Sequence, residues 1–132
     1  MSIIIETIEK LPELLPLKPA NEETISKAEN DLKLKFAEEY KEYLLKFGAI
    51  LADGVELTGI AKSEHRDVVK VTKQAWELNS SVSKSLYVVE DTRVDGIIIW
   101  QNNDGKIYKS SPNSDAKKIN DSLSDYLKSK YK

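Results

Sequence analysis

The apolar run from Ile97 to Trp100 stands at the centre of the hydrophobic pattern, because it offers apolar side chains to both faces of a strand. A strand that is buried on both faces belongs inside a sheet, with strong partners beside it. The Asp-Gly pair at residues 104–105 follows, and it is a strong signal for a hairpin turn. Candidate strands lie before and after the run, over residues 86–90 and 106–109. The pattern predicts an antiparallel meander of three strands as the core of the sheet.

The first twenty residues predict a short helix and an extended arm. Apolar residues at spacings of four and three indicate a helix over residues 3–11, with Ser2 as its N-cap. Three prolines then prevent a regular helix over residues 12–20. We expect this segment to lie across the surface of the domain, anchored by its leucines, Leu14, Leu15 and Leu17.

Two amphipathic helices are predicted next. Asn21 is a good N-cap for the first, which extends to Leu32 and has one apolar face, formed by Ile25, Ala28 and Leu32. The second runs from Ala37 to Phe47 and is stopped by Gly48. Its charged residues are expected on a solvated face that consists of Glu38, Glu39, Lys41, Glu42 and Lys46.

The segment before the meander predicts a turn, a strand and a further helix. Asp53-Gly54 indicates the turn, and residues 55–60 indicate the strand. Asp67 is expected to cap a helix that continues to about Asn79. Several β-branched residues near the start of this helix are stiff and oppose it, whereas the residues from Gln74 onward favour it.

A final helix completes the chain, after a polar segment around residues 112–118. Ser122 and Asp125 have the spacing of a capping box, and the apolar face of the helix is formed by Leu123, Tyr126, Leu127 and Tyr131. Together the elements predict an α+β protein with a mostly antiparallel, or mixed, sheet of about four to six strands and helices packed on it. We expect a single domain over residues 1–132, in which residues 1–20 form the N-terminal helix and the proline-rich arm.

Composition places the chain among folded proteins with a strongly solvated surface, since 40% of its 132 residues are hydrophobic and 32% are charged. The sequence contains no cysteine, so disulfides and thiolate ligands for zinc or iron are excluded. The N-terminus lacks the basic segment of a signal peptide, and no apolar stretch approaches the roughly 20 residues of a membrane-spanning helix. We expect a cytoplasmic protein that has no membrane partner. The sequence does not determine its oligomeric state.

The net charge of −2 is divided unevenly along the chain. Residues 1–59 carry 7 basic and 12 acidic side chains, a net charge of −5, whereas residues 60–132 carry 13 basic and 10 acidic ones, a net charge of +3. The nearest approach to a basic patch is interrupted by Asp121 and Asp125, and it consists of Lys117, Lys118, Lys128, Lys130 and Lys132. Lysines also suit the C-terminal end of a helix. Direct binding of nucleic acid is therefore not predicted.

Residues that could perform catalysis or hold a cofactor are few. His65 is the one histidine, and it lies in a charged segment, residues 64–67, of the kind found on protein surfaces. The turn at residues 103–105 is not followed by the acidic ligands of a calcium loop, and the five glycines are too scattered for a phosphate-binding loop. Adjacent carboxylates such as Glu38 and Glu39 point in different directions on a helix. The sequence predicts no catalytic residue, no metal site and no cofactor, and it disfavours an enzyme.

The segments of the chain follow one another in a characteristic order, from an acidic capped helix through a helix that ends in Phe-Gly to strands, turns and a last helix. They are Glu23 to Leu32, Glu38 to Gly48, Gly54 to Ile60, Asp67 to Val69, Leu86 to Asp91, Asp95 to Ile99, Gly105 to Tyr108 and Asp121 to Leu127. Over about residues 21–128 this order and spacing resemble the SUKH superfamily. That superfamily groups a fungal cell-wall-synthesis regulator with many bacterial immunity proteins.

Two positions depart from the pattern of the family. Phe36-Ala37 stands where the family usually has Leu-Pro, and Phe47-Gly48-Ala49 stands where it often has Asn-Gly-Gly. The first change replaces a proline suited to the first helical turn, and the second concerns the loop after the helix and any surface built there. The resemblance implies an α+β domain with helices flanking the sheet. It also implies that a bacterial member of this size neutralises a toxin, often a nuclease, delivered between competing cells in a polymorphic toxin system.

The favoured function is that of an immunity protein, which binds a cognate bacterial toxin, with a nuclease domain as the expected partner, and performs no chemistry. The acidic first half suits such a partner, because a nuclease site is built for phosphates. The expected contacts are Trp76, as an aromatic anchor, and polar residues in the links at the ends of the sheet, namely Asp53, Glu56, Glu64, Asp91, Arg93 and Asp95. Turn formation explains Asp91 and Asp95 equally well, and Trp100 is expected in the core.

Two other functions stay open at this point. A regulatory module that binds an endogenous protein fits the same residues, and a toxin gene beside this one would favour the immunity protein over it. An enzyme or small-ligand binder would use a pocket around Trp76, His65 and Glu64. A bound ligand, or an activity lost on the substitution His65→Ala, would support that third function.

Overall fold

The computed structural model describes residues 3–112 and 114–130. The helices of these segments are α1 (Ile3–Glu9), α2 (Glu22–Leu32), α3 (Glu38–Phe47), α4 (Val68–Leu78) and α5 (Leu123–Lys130). The strands are β1 (Leu15–Pro16), β2 (Ile50–Ala52), β3 (Val55–Leu57), β4 (Tyr87–Asp91), β5 (Ile98–Gln101), β6 (Ile107–Ser110) and β7 (Lys117–Asn120). The predicted helices are confirmed, while Ser2 and Tyr131 lie outside the described residues. None of the helices in these segments is long and apolar enough to cross a bilayer.

Strands β4 to β7 form an antiparallel sheet in the order β4-β5-β6-β7. Its first three strands are the predicted meander, in which Trp100 is paired with Val88 on one side and with Tyr108 on the other. Strand β5 is buried along its whole length. The sequence does not predict β7, because Lys117 and Lys118 are polar and exposed at the edge of the sheet, where lysines are common.

A second antiparallel sheet contains three strands in the order β1-β2-β3. The proline-rich arm supplies β1, whose Leu15 pairs with Leu51 of β2. The prediction that Leu15 anchors the arm by its side chain is wrong, because this residue is 63% exposed. Leu14 and Leu17 are half-buried. Backbone pairing therefore holds the arm at Leu15, and the α+β class with antiparallel sheets is confirmed.

Thr58 connects the two sheets. Its backbone N donates a hydrogen bond to Val89 O at 2.9 Å, and its Oγ1 donates one to Val88 O at 2.7 Å. The register of β4 against β5 shifts between Val88 and Glu90, so Val89 stands outside that ladder as a bulge. Tyr43 of α3 donates its hydroxyl to Thr58 O at 2.7 Å. Thr58, bonded at the bulge, thus connects the end of β3 to both β4 and α3.

Two clusters of buried apolar side chains form the core. The larger packs α1, α2, α3 and α5 against the sheets and includes three fully buried tyrosines, Tyr40, Tyr43 and Tyr87. The smaller lies between α4 and the four-stranded sheet and contains Trp100, which is fully buried as predicted. Trp76 of α4 packs against both clusters and so links them.

The prediction of a solvated charged face on α3 is correct for Glu38, Glu42 and Lys46, but it is wrong for Glu39 and for Lys41, which is half-buried beside Glu29. Glu39 is half-buried, and its carboxylate accepts a hydrogen bond from Gln101 Nε2 at 2.9 Å. It also accepts hydrogen bonds from the backbone at the start of α5. Sequence spacing could not reveal this role, because the donors lie more than sixty residues further along the chain.

Candidate functional site

An open groove of about 550 Å³ lies between α4 and the loop that follows β4. Its floor is apolar and consists of Val71, Ala75 and Ile98, which belong to the smaller core cluster. The polar residues on its walls include His65, Asp91 and Arg93. A concave apolar floor with a few polar groups around it is the usual form of a binding site.

Helix α4 is fixed to the sheet beneath it and forms one wall of the groove. Asp67 caps its start, with the side chain accepting a hydrogen bond from Lys70 N at 3.2 Å. The buried Thr72 accepts one from Val88 N at 3.0 Å, which ties α4 to β4. The last residue of the helix, Leu78, lines the groove and is 74% exposed.

The loop over residues 91–97 forms the opposite wall and is held by its own side chains. Asp91 Oδ1 accepts a hydrogen bond from Arg93 N at 2.9 Å, and Thr92 Oγ1 donates one to Ile97 O at 2.8 Å. Arg93 and Asp95 both have left-handed backbones, with φ of 58° and 54°. Such backbones are uncommon outside glycine and are often found at functional positions. Between these two residues the loop presents Val94, which is 59% exposed.

Arg93 is part of a charged cluster with Glu56 and Arg66. Glu56 Oε1 lies 3.3 Å from Arg93 Nη2 and 3.5 Å from Arg66 Nε. One carboxylate therefore serves two guanidinium groups, and the three side chains together keep a net positive charge. The side chain of Arg93 remains 53% exposed. Glu56 acts in this arrangement as the group that positions Arg93 beside the groove.

The structure brings some of the sequence-predicted contact residues together and separates others. Glu56 and Asp91 both contact Arg93, which lines the groove with Asp91, and Asp95 lies in the same loop as Arg93. Glu64 is exposed, with its carboxylate 3.9 Å from Lys70 Nζ. It precedes His65, which lines the groove, but is not itself among the lining residues.

Asp53 and Trp76 lie away from this groove. Asp53 lines a separate depression of about 560 Å³, together with Glu13 and Leu15 of the arm. Trp76 is half-buried between the two core clusters, and its Nε1 donates a hydrogen bond to Leu86 O at 3.0 Å. The indole of Trp76 thus packs within the fold and does not line the groove. The pocket considered for Trp76, Glu64 and His65 is not formed, because His65 alone of the three lines this groove.

Sequence reasoning missed Leu78, Val94 and Arg66 as candidate site residues. Val71, Ala75 and Leu78 follow one another at spacings of four and three, which is typical of a buried helix face. Leu78 is exposed nevertheless, because the helix ends there at the rim of the groove. Among the described residues, no group of three or more acidic or histidine side chains is arranged to hold a metal ion.

The fold defines an α+β protein with an open groove between α4 and the 91–97 loop. The chain belongs to the SUKH family, since the SUKH_5 family model, described as SMI1-KNR4 cell-wall, matches residues 1–132. Membership of this family fits a protein-binding role, and the family is generally non-catalytic.

A comparison with solved structures supports the fold. The crystal structure of a protein from Pseudomonas syringae pv. tomato matches with a TM-score of 0.73 and 19% sequence identity, over 95% of this chain and 93% of that one. At this level of identity the likeness shows a shared fold. No curated protein matches the chain in sequence.

Proposed function

We propose that this protein is an immunity protein that binds one cognate bacterial toxin through the groove between α4 and the 91–97 loop. It blocks the toxin by occupying its surface and does no chemistry of its own. The observation that carries the proposal is the hydrogen-bonded 91–97 loop, which holds Arg93 across the groove from the exposed Leu78. Arginine is common among the residues that contribute most to binding, and a preorganised surface loses little conformational freedom when a partner docks.

The proposed partner is the nuclease domain of a toxin, which the protein meets in the cytoplasm of the cell it protects. The net charge of −5 over residues 1–59 supports this choice, since a nuclease presents basic surface for its phosphate substrate. Asp95 and Glu64 add exposed carboxylates next to the groove. We further propose that residues 1–132 act as one domain, so that the acidic half and the groove face the toxin as a single rigid body.

A growth-rescue assay tests the proposed function. A candidate toxin domain, taken from a gene found to neighbour this one, is expressed in bacteria with or without the protein, and survival is counted. Wild type is expected to restore growth, and Leu78→Asp is expected to lose protection because a charge replaces an exposed apolar contact without disturbing the core. Lys73→Glu is the matched control, since Lys73 is exposed on the same helix but does not line the groove. Full protection by Leu78→Asp, or none by wild type, would contradict the proposal.

A further inference from the structure

The floor and rim of the groove form a pocket that fits one apolar side chain of a partner. Val71, Ala75 and Ile98 form an apolar floor that is already in place. Leu78, exposed at 74%, lines the groove on the α4 side, and Arg93 and Gly96 line it on the side of the 91–97 loop. An apolar side chain that enters the groove beside Leu78 would bury the exposed surface of Leu78 together with its own, which favours binding.

The Arg66–Glu56–Arg93 cluster next to this pocket has a net positive charge, because one carboxylate faces two guanidinium groups. Both guanidinium groups approach the same atom, Glu56 Oε1, at distances longer than those of a strong charge-assisted hydrogen bond. Arg66 Nε is buried and has no hydrogen-bond acceptor among the described residues. Arg93 is the more exposed of the two arginines, so its guanidinium is the accessible cation of the cluster.

Asp91 is the one carboxylate that lines the groove in the described part of the chain, and its Oδ1 accepts a hydrogen bond from the backbone N of Arg93. It therefore supports the loop, while Arg93 presents its donors to the solvent. A planar guanidinium with unused N–H groups matches a carboxylate, which it can bind through two parallel hydrogen bonds.

We infer that the partner segment that docks here carries a carboxylate next to the apolar side chain, with the apolar group on the Val71–Ala75–Ile98 floor and the carboxylate on Arg93. This inference rests on the proposed partner-binding function and names the chemistry that the groove selects. It differs from the acidic steering of a nuclease, because here the cation belongs to this protein and the anion to the partner.

The test uses three small probes that differ in one group: acetyl-leucyl-glutamyl amide, acetyl-leucyl-glutaminyl amide and acetyl-leucyl-lysyl amide. Each is titrated at millimolar concentrations into the isotope-labelled full chain, and backbone amide shifts are followed by NMR. Ligands of this size bind weakly, and NMR detects such binding and also locates it. We expect shifts confined to α4 and the 91–97 loop. The glutamyl probe is expected to bind about threefold more tightly than the glutaminyl probe, and the lysyl probe most weakly.

Variants separate the two parts of the inference. Arg93→Gln is expected to abolish the preference for the glutamyl probe, and Arg93→Lys is expected to restore part of it. Leu78→Asp is expected to weaken all three probes, and the Lys73→Glu control is expected to bind as wild type does. A dispersed spectrum confirms that each variant is folded. Equal binding of the three probes to wild type, tighter binding of the lysyl probe, or no shift at the groove would overturn the inference.

The titration and the rescue assay test separate claims, so their results can differ. A protein that selects the glutamyl probe but does not protect cells from the candidate toxin would contradict the immunity function and leave the chemistry of the groove established. A protein that protects cells but shows no preference among the probes would contradict the inference alone.

Discussion

Glu39 of α3 caps the first turn of α5 by accepting two hydrogen bonds from Ser124, with Oε2 lying 3.0 Å from Ser124 N and 3.1 Å from Ser124 Oγ. Its other oxygen, Oε1, accepts a hydrogen bond from Leu123 N at 2.7 Å. The N–H groups at the start of a helix have no partner within the helix, and the helix dipole favours a negative charge there. One side chain from α3 therefore fixes where the last helix begins.

Removal of this cap is expected to destabilise the protein. Glu39→Ala should lower the free energy of unfolding by about 2 kcal/mol, because buried N–H groups lose a charged acceptor. Glu38→Ala is the matched control, since the Glu38 side chain is 88% exposed, and its effect should stay within about 0.5 kcal/mol. Urea unfolding followed by circular dichroism gives both values. A Glu39→Ala protein as stable as the control would contradict the capping role.

Gly59 is required for a close approach of backbone segments rather than for an unusual backbone angle. A Cβ at this position would lie 1.8 Å from Gly48 O, although Gly59 is not among the glycines with positive φ. Gly59→Ala is therefore expected to cost about 3 kcal/mol or more, because the obstacle is backbone and cannot rotate away.

Gly105 is the opposite case and serves as the comparison for Gly59. Its φ is +92°, but a Cβ there would meet nothing closer than 3.9 Å. Gly105→Ala should therefore cost only about 1–2 kcal/mol, from backbone strain. Both variants can be measured by urea unfolding. If Gly105→Ala proves the more harmful, steric exclusion is not the reason for glycine at position 59.

The three buried tyrosines predict a loss of stability in alkali. Burial raises the pKa of Tyr40, Tyr43 and Tyr87 well above the ordinary value of 10.0. Above about pH 10 the unfolded chain releases these protons while the folded protein keeps them. Since the folded state then binds more protons than the unfolded state, the free energy of unfolding falls as the pH rises, by about 1.4 kcal/mol per pH unit for each tyrosine.

Urea unfolding at several pH values between neutrality and strong alkali measures this slope. Tyr40→Phe, which loses the hydrogen bond to Thr58 but cannot ionise, should show a shallower alkaline slope than wild type. An unchanged slope in this variant would show that Tyr40 does not contribute to the alkaline transition.

The two core clusters are expected to unfold together. Trp76 packs against both of them, and Thr58 bonds the sheets to each other, so that neither cluster can open without exposing part of the other. Methyl NMR signals of Ile8, in the larger cluster, and Ile98, in the smaller, should therefore disappear at the same urea concentration. Loss of the Ile98 signal at lower urea would show two separate folding units within the chain.

The loop carboxylates are expected to speed association with the proposed toxin. Asp91→Asn with Asp95→Asn removes two negative charges, and an asparagine oxygen can still accept the hydrogen bond from Arg93 N. Association should slow by about threefold at low salt while dissociation changes little, because charges at the rim of an interface act mainly on the rate of encounter. Surface plasmon resonance at two salt concentrations measures this. Asp104→Asn, in an exposed turn elsewhere, is the control, and an equal effect there would remove the 91–97 loop from the interface.

A large part of this protein follows from local patterns in its sequence. Asn21 and Asp67 cap the predicted helices, and the apolar residues Ile98 to Trp100 lie in the buried strand β5 of the meander. Such features depend on residues close together in the chain, where side-chain period and capping chemistry act directly. The class of fold follows from the order of these elements.

The tertiary structure alone decided the features that join distant residues. The short strand β2 and the polar edge strand β7 exist because β3 and β6 lie beside them, and Glu39 is a cap because α5 begins next to it. The same holds at the groove, where Glu56 pairs with Arg93 and where Leu78, at a spacing typical of the core, faces solvent instead. Hydrogen bonds and ion pairs across long stretches of chain leave no periodic trace in the sequence, so their partners become known only when the chain has packed.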